Sequence, residues 1–268
     1  MAKHSTHVEQ PAKRRIVCIA DDLGMSERIN QAILHAHRHG VLLGAGLMMG
    51  QAGTEGAVEL ARQNPSLQVG WHLHLSNSRP CTLPAWPWGD SLARAGFTIG
   101  LTRRGRRLAR REIEQQWQAF QATGLKCRFI NAHHHLHVHP FVRRTLLATL
   151  QASRRANLRD TLPPGFEGWI RWGRPRFFER GVHERLFSLL DFFIQARHRG
   201  RLGYEESATL WGIDRTFAMQ ANEVVDILPT LGDGLHELMF HPRRLQDDPD
   251  TQCLLDLAEL APDAFVRA

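Results

Sequence analysis

The sequence contains few cysteines and no pair of them at short spacing. Its four cysteines, Cys18, Cys81, Cys127 and Cys253, lie far apart and form no Cys-x-x-Cys unit. A zinc knuckle needs closely spaced cysteines and a disulfide scaffold needs many of them, so neither is indicated. We interpret the cysteines as reduced thiols. Cys18 and Cys127 lie inside apolar runs, which is typical of core residues.

Long apolar runs are also missing. No stretch approaches the roughly 18 to 20 residues that a helix needs to cross a bilayer. The opening segment MAKHSTHVEQPAKRR lacks the apolar core of a secretory signal. With 43% hydrophobic and 23% charged residues, the composition is that of a folded globular chain and not of a disordered one. These features predict a cytoplasmic protein.

Acidic residues are too few to balance the basic ones, and the formal charge is +7. Arginines cluster in LTRRGRRLARRE (101–112) and recur beside aromatic residues in WIRWGRPRFFERG (169–181). Arginine next to aromatic side chains suits peripheral contact with a membrane. A solvated helix face and a surface loop explain the pattern equally well. No pattern of a known nucleic-acid module accompanies the charge, so a nucleic-acid partner is not predicted.

Strand-like apolar runs alternate with segments at helical spacing. The first unit is RIVCIADD followed by ERINQAILHAHRHG, in which Ile29 and Ile33 repeat at helical spacing before Gly40. About seven such units predict an α/β fold with a mainly parallel sheet. A TIM-like (β/α) barrel, either complete or incomplete and distorted, fits this length and pattern better than two domains.

The remaining segments complete the predicted organisation. We expect a disordered tail over residues 1–14 and a single domain over residues 15–268. A strand is predicted at NLRDTL (157–162), and a helix at VHERLFSLLDFFIQARHRG (182–200). Residues 79–100 are rich in proline, tryptophan and glycine and are predicted to form a loop shaped for a ligand.

Five polar residues stand where apolar strands end. Asp21 and Asp22 follow IVCIA, His72 follows LQVGW, His133 follows FINA, and His241 follows ELMF. Parallel barrels place their catalytic groups at the carboxyl ends of the strands, so these side chains are expected to lie close together. A lone histidine at a strand end is more often a structural residue. The coincidence of four such placements favours a site.

The two acids are expected to divide their roles. Consecutive residues on a strand point in opposite directions, so Asp21 and Asp22 do not easily serve one function together. One can bind a cation while the other accepts a proton from water. The alternative is that both side chains cap the following turn and helix.

Histidines are concentrated in HHHLHVH, from His133 to His139. If this run stays extended, alternate histidines share one face, and a dense run near a strand end indicates a metal site. One or two of them can bind the metal, and the others would hydrogen-bond to neighbouring groups. By the same rule His72 and His74 share a face, and we expect one ligand and one bystander.

An aspartate with two histidines leaves metal positions open for water and substrate, which is typical of catalytic sites. Hydrolysis follows, with Asp21 as the base and His241 as the acid that protonates a leaving amine. The ligand types favour zinc, while magnesium, manganese and cobalt remain alternatives. A metal-binding protein without enzymatic activity, suggested by the 16 histidines, is the rival interpretation.

The segments that carry these residues resemble the YdjC-like carbohydrate deacetylases. They are ADDLGMSERINQAILHAHRHGVL, VGWHLHL, INAHHHLHVHP and LHELMFHP. The resemblance implies a TIM-like barrel, often a homodimer, and one divalent metal ion. It also implies Asp22, His72 and His133 as metal ligands, Asp21 as general base and His241 as general acid.

Three residues depart from the family's usual pattern. Leu23 replaces the phenylalanine that usually follows the acid pair, and Asn131 and Ala132 stand where the chitooligosaccharide members tend to have aspartate and serine. The Asn-Ala-His form resembles the branch associated with hopanoid biosynthesis, known as HpnK. It implies an N-acetylglucosaminyl lipid as substrate and contact with the inner membrane surface, with a chitooligosaccharide as the alternative substrate.

Overall fold

The computed structural model describes residues 14–155, 169–171, 175–178 and 208–267. These residues contain one sheet of eight parallel strands. The strands are β1 (Arg15–Leu23), β2 (Leu42–Leu47), β3 (Gln68–Leu73), β4 (Phe129–Ala132), β5 (Trp169–Ile170), β6 (Pro175–Arg176), β7 (Thr209–Trp211) and β8 (Leu235–Phe240).

Helices alternate with most of the strands along the chain and pack against the sheet. Those in the described ranges are α1 (Glu27–His39), α2 (Thr54–Gln63), α3 (Leu92–Leu101), α4 (Arg103–Ala122), α5 (Pro140–Arg155), α6 (Ala221–Ile227) and α7 (Pro249–Leu260). Ser26, Thr102 and Asp248 accept hydrogen bonds from the first turns of α1, α4 and α7, which satisfies amides that the helix leaves unpaired. None of the described helices is both long and apolar enough to cross a membrane.

The first strand lies in the middle of the sheet. The strand order is β5-β4-β3-β2-β1-β8-β7-β6. β1 pairs with β2 on one side and with β8 on the other, where Arg15 lies opposite Leu235. The sheet curls into a distorted TIM-like barrel, which confirms the predicted fold class. Among the described strands, β5 and β6 form its two edges.

β1 is buried on both faces, which explains its uninterrupted apolar run. The even-numbered residues from Ile16 to Ala20 pack in the large core that the helices share. Val17 and Ile19 pack on the other face with Phe129 and Trp169, whose rings stack with centroids 5.2 Å apart. Apolar residues therefore surround the strand up to the point where Asp21 begins the polar site.

Two regions differ from the sequence-based expectation. The prediction of a loop over residues 79–100 is wrong for its last part, because α3 begins at Leu92 after the cap Ser91 and buries Ala95 and Ile99. β5 and β6 lie where no strand was expected, since strands of two residues show no periodic pattern. The strand predicted at 157–162, the helix predicted at 182–200 and all but the last residue of the predicted tail lie outside the described residues.

All four cysteines are free thiols. Cys18, Cys127 and Cys253 are buried, and Cys81 is half-buried. Burial raises the pKa of the Cys127 thiol to about 12, so this group stays protonated and unreactive at neutral pH. The positions of Cys18 and Cys127 agree with their interpretation as core residues.

Candidate metal and catalytic site

Asp22, His72 and His133 form a buried cluster at the carboxyl end of the sheet. Oδ1 of Asp22 lies 2.8 Å from Nδ1 of His133 and 3.2 Å from Nε2 of His72. One potential ligand atom from each residue lies within 4.8 Å of the other two. Burial acts to raise the pKa of Asp22, but hydrogen bonds from His133 and His72 outweigh it and hold that pKa well below its usual value.

The cluster fits a divalent metal ion. A carboxylate with two imidazoles is a ligand set that zinc accepts in catalytic sites. Nε2 of His133 is buried, and no described residue hydrogen-bonds to it, which leaves a polar atom for a ligand to satisfy. Nδ1 of His72 lies 2.7 Å from Oδ1 of Asn131. This contact fixes the His72 ring with Nε2 directed at Asp22.

A break in strand geometry brings both acids to the same site. Successive residues of a regular strand face opposite ways. Asp22, however, has a φ of 67°, and the pairing of β1 with β2 shifts register between Ala20 and Leu23. A positive φ is uncommon for a residue other than glycine, and it turns the chain in the manner of a β-bulge. The bulge lets Asp21 and Asp22 lie at one end of the barrel with separate partners.

The histidine run does not continue strand β4. It forms a 3-10 helix over His133–Val138, in which His134 and His135 both have a φ of 54°. The expectation that alternate histidines share an extended face is therefore wrong. Within the described structure, His133 is the residue of the run that joins the cluster. His137 instead contacts the backbone carbonyl oxygen of Arg171 through Nε2. Burial lowers the pKa of His137 to about 3.

His74 lies outside the metal cluster, although it follows His72 by two positions. Its Nε2 lies 2.9 Å from the Met49 carbonyl oxygen, and its Nδ1 lies 2.9 Å from Oγ of Ser78. Burial lowers the pKa of His74 to about 3, so the ring is neutral at physiological pH. The positions agree with the expectation that one of these two histidines is a bystander.

Asp21 is held by charged and polar partners beside the cluster. Arg171 donates to it twice, at 2.6 and 2.9 Å, and Nδ2 of Asn131 donates at 2.8 Å. Burial acts to raise the pKa of Asp21, but the nearby positive charge of Arg171 prevails and lowers it to about 2. Asp21 is therefore ionised at neutral pH. Nε2 of His241 lies 3.9 Å from its Oδ2.

Arg171 and Glu237 belong to this site, and sequence reasoning missed both. Arg171 is 1% exposed and donates from Nε to Glu237 at 2.7 Å, while Nε1 of Trp169 donates to the same carboxylate at 2.6 Å. The interpretation of WIRWGRPRFFERG as a membrane-facing or solvated segment is therefore wrong for Arg171. A signal did exist, because Glu237 interrupts the apolar strand β8 and so needs a buried partner.

His241 is positioned by its backbone and by an aromatic ring. Its N–H donates to Oδ2 of Asp250 at 2.6 Å, and the other oxygen of Asp250 accepts from the N–H of Met219 at 3.1 Å. Asp250 thereby ties the end of β8 to the loop after β7. That loop carries Phe217, which has a φ of 65° and packs edge-on against the His241 ring at 4.9 Å.

The five residues predicted from the sequence thus lie together. The sequence also matches the family model of YdjC-like proteins over residues 15–261, a range that contains all five. The chain belongs to the YdjC-like family.

Curated relatives of this YdjC-like chain are named carbohydrate deacetylases. The Brevibacillus brevis protein is 37% identical over 130 residues, which is 48% of this chain and 52% of the relative. The Vibrio campbellii protein is 34% identical over 128 residues, 47% of this chain and 51% of the relative. The Oceanobacillus iheyensis protein is 30% identical over 185 residues, 66% of this chain and 79% of the relative. The matches to the first two relatives span about half of their length.

A solved structure with a similar fold comes from Enterococcus faecalis V583. It is described as a putative cellobiose-phosphate cleavage protein and is 17% identical to the YdjC-like chain. The match has a TM-score of 0.58 and covers 96% of this chain and 97% of the other. At this identity the likeness shows the fold alone.

Proposed function

We propose that this YdjC-like protein is a metal-dependent hydrolase that removes the acetyl group from an N-acetylglucosamine-type sugar. The observation that carries the proposal is the position of Asp21 and His241, 3.9 Å apart, beside the Asp-His-His cluster. Amide hydrolysis needs one group that accepts a proton from water and one that gives a proton to the leaving amine. The names of the relatives support the substrate class.

Asp22, His72 and His133 would hold one divalent ion. Such an ion, when bound, lowers the pKa of water and polarises the carbonyl of the substrate. The mixture of carboxylate and imidazole favours zinc, with magnesium, manganese and cobalt as the alternatives to be tested.

Asp21 and His241 would move the protons. Asp21 accepts a proton from the attacking water, and Arg171 holds the carboxylate in a fixed orientation through two hydrogen bonds. His241 gives a proton to the amine nitrogen as the carbon–nitrogen bond breaks. Asp250 fixes the backbone from which His241 acts, so the acid stays near the base throughout the reaction.

We further propose that a hopanoid glycolipid carries the sugar. The support is the Asn131-Ala132-His133 sequence, which resembles the hopanoid branch. Asn131 donates a hydrogen bond to Asp21, and an ionised aspartate at this position has no proton to donate. This residue therefore changes the surroundings of the base. A lipid-borne substrate would bring the enzyme to the inner membrane surface.

Acetate release tests the substrate. Enzyme stripped with a chelator and then reloaded with zinc, magnesium, manganese or cobalt is given N-acetylglucosaminyl hopanoid and chitobiose side by side. Release from the lipid alone supports the hopanoid assignment, and release from chitobiose moves the protein to the chitooligosaccharide members. Activity on neither substrate with any metal contradicts the deacetylase assignment.

Asp21→Asn separates an enzyme from a metal-binding protein. The variant should lose nearly all turnover, because the amide cannot accept the proton, while metal affinity measured by titration calorimetry stays close to that of the wild type. The exposed Asp233→Asn is the matched control and should change neither quantity. Equal loss of metal binding in Asp21→Asn would place this residue among the ligands.

The proposal includes a homodimer, which the family resemblance implies. Sedimentation equilibrium of the metal-loaded protein at micromolar concentration measures the mass directly. A mass twice that of the 30.5 kDa chain is expected, and a monomeric mass over the whole range would contradict it.

A further inference from the structure

The corner between α3 and α4 exposes two large apolar side chains. Phe97 is 69% exposed and Leu101 is 75% exposed, the highest values among the large hydrophobic residues that the structure describes. They lie four positions apart on one face of α3. Ala95 and Ile99 form the buried face of the same helix. A surface helix normally turns polar residues to solvent, so the apolar residues on the outer face of α3 indicate a partner.

Exposed arginines follow these two side chains closely in the chain. A single residue separates α3 from α4, and Arg103, Arg104 and Arg107 in the first two turns of α4 are exposed. The first turn of α4 contains no acidic residue. The helix dipole is also positive at this end, so the arginines and the dipole repel each other. An anionic partner would relieve that repulsion.

The corner lies at the same end of the barrel as the candidate site. α4 starts on the side of the carboxyl ends of the strands. Its far end meets α2, where Arg62 donates to the Thr123 carbonyl at 2.9 Å. Gly100 of α3 packs on the His139 ring so closely that a Cβ would lie 3.2 Å from Nε2. His139 directly follows the 3-10 helix that begins with His133.

We propose that Phe97, Leu101, Arg103, Arg104 and Arg107 dock the protein on an anionic lipid bilayer. The two apolar side chains enter the interfacial layer, and the arginines contact lipid phosphates. A bilayer gives both kinds of residue a role, whereas binding to duplex phosphates would use the arginines alone. The inference rests on this surface and holds whether or not the substrate is a glycolipid. Docking here would bring the carboxyl end of the barrel, where the candidate site lies, near the headgroups.

Vesicle co-sedimentation tests the docking. The wild type should bind vesicles of phosphatidylcholine and phosphatidylglycerol and not pure phosphatidylcholine, and added salt should weaken the binding. Each arginine near an anionic surface contributes about fivefold in affinity. Arg103→Gln/Arg104→Gln/Arg107→Gln should therefore lose on the order of a hundredfold. Phe97→Ser/Leu101→Ser should lose about tenfold or more, because apolar burial is lost.

Two variants at the opposite end of the barrel serve as controls. Leu260→Ser/Val266→Ser removes exposed apolar groups, and Arg38→Gln/Arg62→Gln/Arg128→Gln removes the same charge. Both controls should bind vesicles like the wild type. Equal loss in the controls, or no preference of the wild type for anionic vesicles, overturns the proposal. Salt-sensitive binding to random duplex that needs the corner arginines but is indifferent to Phe97 and Leu101 would identify a nucleic-acid surface instead.

A fluorescent label gives a second readout that needs no catalysis. An environment-sensitive dye on Leu101→Cys, in a Cys81→Ser background, should shift to shorter wavelength when anionic vesicles are added. The same dye on Leu260→Cys should not shift. A shift at Leu260 alone would contradict the proposed orientation. Since neither signal depends on acetate release, a failed docking test and a failed deacetylase assay remain distinguishable.

Discussion

Arg171 lies between Asp21 and Glu237 and hydrogen-bonds to both carboxylates. Three buried charges stay together because each is paired, and Trp169 completes the partners of Glu237. Removing one member of such a group leaves an uncompensated charge away from water, which costs far more than the pair contributes in net stability. The network therefore makes the position of the proposed base depend on a residue from a distant part of the chain.

Arg171→Met should lower the free energy of unfolding by about 3–5 kcal/mol, measured by urea denaturation of the metal-free protein. Without the guanidinium the pKa of Asp21 rises, so the acidic limb of the kcat/KM profile should move to higher pH. Adding Glu237→Gln should recover part of the stability, because it removes the second unpaired charge. Unfolding energies of the single variant within about 1 kcal/mol of the wild type would contradict the pairing.

Asn131 connects a proposed ligand to the proposed base, since Oδ1 faces His72 and Nδ2 donates to Asp21. Asn131→Leu keeps the branched shape of the side chain but loses both hydrogen bonds. Losing a hydrogen-bonding partner of a metal ligand typically weakens metal binding by about 10- to 100-fold. Competition with a chromophoric chelator measures this loss. The exposed Asn222→Leu on α6 is the control and should bind metal normally.

The sequence could predict the candidate ligands, because each of them ends an apolar strand and parallel strands bring such ends together. Arg171 could not be found in this way. Its bond to Asp21 joins positions 150 residues apart. The surrounding segment WIRWGRPRFFERG is rich in arginine and aromatic residues, a composition that indicates a surface. Glu237 offered the better signal, since a charge within an apolar strand requires a partner.

At the scale of elements, Gly46 of β2 has no side chain, and this leaves room for the polar residues of the site on the neighbouring strands. A Cβ on Gly46 would lie 2.9 Å from Oδ1 of Asn131 and 3.0 Å from Cβ of His72. Contacts this short force neighbouring side chains to move, and overpacking of this kind costs about 1–3 kcal/mol. The absence of a side chain on β2 therefore lets β3 and β4 bring their polar residues together.

Gly46→Ala should displace Asn131 and His72 and so reduce metal affinity by about tenfold or more, with a loss of stability of about 1–3 kcal/mol. Titration calorimetry and urea unfolding measure the two effects. Gly232→Ala is the matched control, because nothing lies within 4 Å of its Cβ position. A metal affinity of Gly46→Ala equal to that of the control would argue against this packing.

Elements with a clear period were predictable, and those without one were not. The helical spacing of apolar residues in α1 and the continuous apolar run of β1 allowed both elements to be predicted. A helix face that repeats every 3.6 residues and a buried strand each require many apolar residues. The 3-10 helix His133–Val138 has no such repeat. Its direction depends on the positive φ of His134 and His135, a conformation that is uncommon for residues other than glycine and that no local pattern indicates.

At the scale of the whole molecule, buried neutral histidines make the fold sensitive to acid. Burial lowers the pKa of His74 and of His137 to about 3, and that of His134 to about 4. In the unfolded chain these groups titrate near 6.5. Below that pH the unfolded state binds more protons than the folded state, so stability falls as the pH falls from about 6.5 towards about 3.

The free energy of unfolding of the metal-free protein should therefore decrease steadily between pH 7 and pH 4. His137→Gln removes one of the groups that take up a proton on unfolding, so its stability should depend less steeply on pH in this range. Urea unfolding at steps of half a pH unit measures the slope of the unfolding free energy against pH. At pH 8 these histidines are neutral in both states, so the difference in unfolding free energy between variant and wild type gives the loss of stability that does not depend on protonation. An equally steep slope in the variant would contradict the assignment.

The central place of β1 has a consequence for the order of folding. During synthesis the amino-terminal part of the chain emerges first, yet β1 completes its hydrogen bonding only with β8, where Arg15 meets Leu235. At the usual rates of translation, the edge of β1 that pairs with β8 stays without its partner for roughly ten to forty seconds. Asp21 is thus made early and His241 much later, so the nascent chain lacks the complete pair of proposed proton-transfer groups until β8 joins the sheet.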